Sequence, residues 1–147
     1  MNFPKPEVLE VIRSDPRRVR IGDCATVRLA PGLLDFLMTS PNGSAAARGR
    51  GTHPMSGIPL GIALEAAIEA CGGQETGIDV LRACECTYDS PVRRDEPLIG
   101  RARVGEIGPR HITLEATAES EADGRILIRA RLVLVRVGED GRAERLA

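Results

Sequence analysis

From Ile58 to Cys71 the chain reads IPLGIALEAAIEAC, and Glu65 and Glu69 are the only charged side chains in the stretch. A helix this poor in polar groups has no face to give to water, so the rest of the chain has to enclose it. Its ends are marked by local chemistry. Ser56 is a suitable N-cap, and Pro59 falls in the first turn, where its missing N–H is not needed. Gly72-Gly73 supplies a stop. Residues 56–72 therefore read as one central helix.

After this helix the hydropathy period switches to two. Four strand candidates follow: Ile78 to Tyr88, Pro97 to Ile107, His111 to Glu119 and Arg125 to Val137, together spanning 78–137. Gly108-Pro109-Arg110 and Ala122-Asp123-Gly124 are turn signals of hairpin length, so the last three strands are expected to form an antiparallel meander. Ile112, Leu114, Ala116 and Ala118 would point inward. Arg101 with Arg103, like Arg129 with Arg131, would share one face of its strand.

Ahead of the helix, Arg18 to Leu29 alternates as a strand bent at Gly22-Asp23. Pro4 to Ser14 places Val8, Leu9, Val11 and Ile12 on a short helical pattern that Asp15-Pro16 should end, giving residues 1–16 the look of an arm. Residues 39–55 collect Gly, Pro and small side chains and are expected to form a mobile substrate loop. A strand, a loop, one apolar helix and four antiparallel strands make an α+β order. One curved antiparallel sheet then has to wrap the helix. With 147 residues, 42% of them hydrophobic, a single domain over 1–147 can bury a sizeable core.

Composition removes several function classes. Twenty basic residues nearly balance twenty-one acidic ones, for a net charge of -1, so no global field attracts nucleic acid or an anionic membrane. Phe3, Phe36 and Tyr88 are the only aromatics, too few to stack single-stranded bases or sugars. Cys24, Cys71, Cys84 and Cys86 show no C-x-x-C or Cys/His spacing, so no metal site is expected. Residues 1–13 lack the basic and apolar regions of an export signal. The expectation is a cytoplasmic protein with reduced thiols.

The stretch SGIPLGIALEAA, Ser56 to Ala67, resembles the loop-plus-helix signature of hotdog-fold acyl thioesterases. Many of those enzymes open the helix with His-Gly-Gly and carry an Asp or Glu nine positions after the His. The matching positions are Ser56, Gly57, Ile58 and Glu65, with Ser in place of His. Pro59 to Ala70 also resembles the helix of β-hydroxyacyl-carrier-protein dehydratases, which would pair His53 with Glu65, His53 standing two residues nearer the acid than is usual there. A helix opened by Ser-Gly and carrying a Glu is similar as well to fluoroacetyl-CoA thioesterases. Their His on the next strand is replaced here by Cys84-Glu85-Cys86-Thr87. The resemblance implies a hotdog fold and hydrolysis of an acyl-CoA or acyl-carrier-protein thioester. It also implies no cofactor besides the coenzyme A of the substrate, and a homodimer or dimer of dimers with the site between subunits. A hydroxyacyl-thioester dehydratase and a non-catalytic acyl-thioester binding protein are the alternatives.

The residues support parts of this on their own. A carboxylate at Glu65 among Ile62, Ala63, Leu64, Ala66 and Ala67 would be partly desolvated, which raises a pKa toward the range of a general base. The unpaired N–H groups at Gly57 and Ile58 would face a thioester carbonyl as an oxyanion hole, and Gly57 lets substrate approach the backbone. Ser56 or Thr87 would orient water. Arg48 and Arg50, or Arg93 and Arg94, can meet the phosphates of coenzyme A. Blander readings stand beside each of these. Glu65 can be a solvated helix edge shared with Glu69, Ser56 only a cap, His53 and His111 surface residues, and Cys84 and Cys86 small buried side chains.

Overall fold

Small side chains meet small side chains at the centre of this protein, and that match decides the architecture. The computed structural model describes residues 6–29, 57–93 and 96–146. Its elements are β1 (Glu7–Ile12), β2 (Cys24–Leu29), α1 (Gly57–Ala70), β3 (Ile78–Tyr88), β4 (Leu98–Ile107), β5 (Ile112–Ser120) and β6 (Ile126–Arg136), with a short 3-10 turn at Gln74–Thr76. The six strands form one antiparallel sheet in the order β1-β2-β4-β5-β6-β3. Among the described residues no helix is long and apolar enough to cross a membrane.

The register explains how the helix is seated. Ala25, Ala102, Ala116 and Ala130 stand side by side across β2, β4, β5 and β6, all buried. On α1 the buried positions include Ala63, Ala66, Ala67 and Ala70. Alanine against alanine lets backbones approach closely, and at Gly100 they nearly touch. A Cβ added there would fall against the Ile62 carbonyl, 2.8 Å from its carbon. Larger side chains fill the row on one side, where Val104, Leu114 and Leu132 are at most 1% exposed. On the other side Val27 and Ile128 flank the small Gly100 and Ala118. Full burial of a Leu or Val contributes about 1.5–3 kcal/mol, so these rows supply much of the cohesion. Ile112, Leu114, Ala116 and Ala118 all point inward, as their alternation predicts.

The N-terminal segment corrects the sequence reading: it is a strand, not a helix. Val8 pairs with Val27 and Val11 with Ala25, while the register shifts between Val8 and Glu10. That bulge inserts one extra residue, so two side chains three apart share a sheet face and imitate a helical spacing. The next strand is also shorter than expected, starting at Cys24. Residues 13–23 wind around Asp23 instead. Its carboxylate, 2% exposed, accepts the N–H groups of Ser14 (3.2 Å) and Arg20 (2.8 Å), with the Arg13 guanidinium 3.7 Å away.

A second buried carboxylate ties the sheet at the approach to β4. Glu96, 6% exposed, accepts the Arg93 N–H at 2.9 Å and the Arg125 guanidinium at 2.6 and 2.9 Å. Burial pushes its pKa up, but the Arg93 N–H and the Arg125 charge outweigh that, holding it below the usual carboxylate value. Among the described residues the strand preceding this loop, β3, is paired only with β6 and forms one edge of the sheet. The helix packs on β1, β2, β4, β5 and β6, and β3 extends past it.

Candidate active site

The helix start supplies the first half of a site. An α-helix leaves its first four N–H groups without intrahelical partners, and Pro59 has none to leave. Gly57, Ile58 and Leu60 are therefore the donors at this end. No acidic side chain stands in the first turn to neutralise the positive end of the helix dipole. Gly57 is exposed, and a Cβ added to it would meet nothing within 4 Å among the described residues. Ile58 packs partly against the core and fixes the direction of the turn. Among the described residues nothing stands over the backbone at Gly57.

Glu65 is half-buried in the third turn of α1. Eight residues at 1.5 Å each set it about 12 Å along the axis from Gly57. Glu69 lies one turn further and serves the other end of the helix. A Cβ added at Gly73 would stand 3.5 Å from its Oε2, so that carboxylate lies over the C-terminal stop. Gly61, between Gly57 and Glu65, is exposed and an added Cβ there also meets nothing within 4 Å among the described residues.

Other candidate residues fall elsewhere. Thr87 pairs with Arg129 on the sheet face opposite the helix, so the structure does not bring it together with Gly57 and Glu65. Cys84 and Cys86 share a face, as expected, but they are exposed, because β3 runs beyond the cover of α1. His111 stands in the β4–β5 turn, where its carbonyl accepts the Gly108 N–H at 2.8 Å, in keeping with a structural role. Arg93 is exposed. Ser56, His53, Arg48, Arg50 and Arg94 lie outside the described residues.

No protein-family model and no curated protein matches the sequence. Solved structures do match. A Streptococcus mutans protein, smu.793, bound to acetyl CoA is 12% identical over 91% of this chain and 90% of its own, with TM-score 0.59. The E. coli PaaI protein from the phenylacetic acid degradation operon is 15% identical over 88% and 81%, with TM-score 0.59. Zebra fish thioesterase superfamily member 2 is 14% identical over 88% and 80%, with TM-score 0.55. Together with one helix laid on a six-stranded antiparallel sheet, these matches decide the architecture. The chain has the hotdog fold.

One feature of the hotdog sheet escaped the sequence reading. Its outer face holds a groove of about 390 Å³ lined by Thr26, Arg101, Arg103, Glu115, Thr117 and Arg129, among others. The signal was the pairs of arginines at spacing two, but the cross-strand neighbours that complete the groove depend on strand order. Arg101 Nε donates to Glu119 at 2.9 Å and Arg129 Nε to Asp89 at 2.8 Å. These contacts lie on the far side of the hotdog sheet from Gly57 and Glu65. They stitch strands together and are not part of the candidate site.

Proposed function

We propose that this protein hydrolyses acyl thioesters, with the acyl group carried on coenzyme A or on an acyl-carrier protein. The observation that carries the reading is the open helix start at Gly57, with the half-buried Glu65 carboxylate two turns along the same exposed strip. Structures of the same fold include a thioesterase superfamily member and a protein bound to acetyl CoA, which fits that chemistry.

The thioester carbonyl oxygen accepts the Gly57 N–H, with Ile58 N–H beside it, where the positive end of the dipole favours the developing charge. Glu65 takes a proton from a water molecule as that water adds to the carbonyl carbon, and collapse of the tetrahedral adduct then breaks the C–S bond; or Glu65 itself attacks, the C–S bond breaks as the mixed anhydride forms, and water afterwards opens the anhydride. By either route the thiolate leaves and is protonated, and a carboxylic acid is released. Ser56 orients the water. His53, Arg48 and Arg50 belong to the segment that meets the substrate.

The axial distance of about 12 Å between Gly57 and Glu65 exceeds what one tetrahedral centre and its attacking water span. A donor from one copy and a carboxylate from a second copy meet that requirement. The edge of β3, which no described strand pairs, is the edge through which two copies pair, as a homodimer or a dimer of dimers.

The test is release of free thiol from short, medium, long and aromatic acyl-CoAs by wild type and Glu65→Gln in parallel. Wild type is expected to release thiol from at least one substrate, and the variant to do so at least 100-fold more slowly, within the range of a lost general base. No release from any substrate, or equal rates for the two proteins, overturns the reading.

A further inference from the structure

Glycine inside a helix loses more chain freedom on folding than any other residue, so it persists where φ is positive or where a neighbour leaves no room for a Cβ. Gly72 and Gly73, just after α1, have positive φ, and Gly100 lies against the Ile62 carbonyl. Gly61 meets neither condition. Its φ is not positive, it is exposed, and an added Cβ would meet nothing within 4 Å among the described residues. The room above it serves something other than the packing of α1 on its own sheet.

Two-fold symmetry identifies the occupant. In a two-fold dimer, if residue i of one copy meets residue j of the other, then j also meets i. The site proposed above joins the Gly57 donor of one copy to Glu65 of the second, and therefore Glu65 of the first to Gly57 of the second. Only antiparallel helices satisfy both pairs. Antiparallel pairing of two β3 edges orients them that way, because the two-fold axis then stands normal to the sheet and reverses α1 together with β3. The axis passes midway between the paired positions, at residue 61. Four residues advance about 6 Å and leave a rotation of about 40°, so Gly61 lies midway between Gly57 and Glu65 both along α1 and around it.

We propose that Gly61 is a positioning residue, at which the α1 helices of two copies cross backbone to backbone on the dimer axis. This crossing rests on the two-copy thioesterase site. A side chain at position 61 would meet its own symmetry mate, so each added atom counts twice. Helices pack with axes about 8–10 Å apart, depending on the side chains at the contact, and paired glycines favour the short end. At about 9–10 Å, Cα atoms on the facing sides, each about 2.3 Å from its axis, stand about 4.4–5.4 Å apart. Widening the crossing draws Glu65 of one copy away from a carbonyl held at Gly57 of the other. A residue that touches no substrate then governs the distance over which the base acts.

A cross-link reads the crossing without reference to catalysis. The full-length chain carrying Cys84→Ser and Cys86→Ser, which removes the exposed thiols, receives either Gly61→Cys or Glu69→Cys, is oxidised with copper phenanthroline and is run on a non-reducing gel. A disulfide spans Cα atoms about 4.4–6.8 Å apart, so Gly61→Cys is expected to give a covalent dimer. Glu69 stands about 12 Å along α1 from the axis in each copy, about 24 Å from its mate, and Glu69→Cys should give none. In thiol release, Gly61→Leu should lower kcat at least tenfold at nearly constant KM, with the wild-type mass in light scattering, and Gly61→Ala should shift kcat the same way by less. Gly61→Ala carries this measurement if Gly61→Leu melts early. No covalent dimer from Gly61→Cys, equal yields at the two positions, or wild-type kcat in both Gly61 variants overturns the proposal. A covalent dimer from a protein that releases thiol from no acyl-CoA upholds the crossing and removes the thioesterase reading alone.

Discussion

Gly100→Ala tests the seating of the helix, on which the fold and the position of Glu65 both depend. The added Cβ would lie against the Ile62 carbonyl oxygen, 2.8 Å from its carbon and 3.1 Å from Ile62 Cγ1. Two of these atoms are helix backbone, which cannot swing aside as a side chain does. Overpacking of this kind costs about 1–3 kcal/mol, and a backbone obstacle puts Gly100 near the upper end. Against this, Gly→Ala at ordinary φ restricts the unfolded chain and stabilises by about 0.4–1 kcal/mol. The net loss is about 2 kcal/mol, or roughly 4–8 °C in Tm for a chain of this size. Gly105→Ala is the matched control on the same strand. Its Cβ would meet only the Thr113 carbonyl oxygen at 3.8 Å, an ordinary contact, so it keeps the entropic gain without the clash. Thermal unfolding followed by circular dichroism should place Gly100→Ala clearly below wild type and Gly105→Ala at or above it. Equal melting temperatures for the two variants would refute the close seating of α1 on β4.

Three further outcomes are expected. Gly57→Ala meets no neighbour among the described residues, so its Tm should hold or rise, while kcat/KM for thiol release should drop at least tenfold because a methyl group blocks approach to the backbone donors; full activity would remove Gly57 from the site. Glu96 has its folded pKa below the ordinary carboxylate value, so its charged form stabilises the fold above the unfolded pKa and that contribution is lost as pH falls through the lower folded one. Glu96→Gln should therefore cost about 2 kcal/mol at pH 7, and denaturant titrations should show the gap to wild type closing as the pH is lowered below about 4. The Cys71 thiol is pushed up to about 12 by burial, so at pH 8 roughly one molecule in ten thousand carries the thiolate; Ellman's reagent should modify Cys84 and Cys86 in the native protein and reach Cys71 only after unfolding.

How much of this was legible from sequence follows from the range of the forces involved. The limits of α1 were readable because Pro59 and Gly72-Gly73 act on their immediate neighbours, and the strands from β3 to β6 fall within about a residue of their expected ends. β1 was not readable as a strand because a bulge counterfeits a spacing of three, and bulges are fixed by the partner strand. The exposure of Cys84 and Cys86 was hidden for a different reason. Their alternation is that of any half-covered strand, and only strand order makes β3 an edge beyond the helix. The fate of Thr87 was half written in the sequence. Period two puts it opposite Cys86 and Tyr88, and the fold needed only to decide which set faces inward.

The same limit governs the choice between the two helix carboxylates. Glu65 and Glu69, four residues apart, stand only about 40° apart around the helix, so no helical wheel separates them. Distance along the axis does. Glu69 belongs to the C-terminal turn, where its carboxylate lies over Gly73 at the negative end of the dipole. Glu65 sits in the middle of α1 beside Gly61, which carries no side chain to stand in the way. On the proposed two-copy site a base from one helix has to meet the carbonyl held at the start of the other, and Glu65 is the carboxylate placed to do so. Glu69→Gln should accordingly leave thiol release within about twofold of wild type, and a loss there as large as that of Glu65→Gln would place the chemistry at the wrong end of α1.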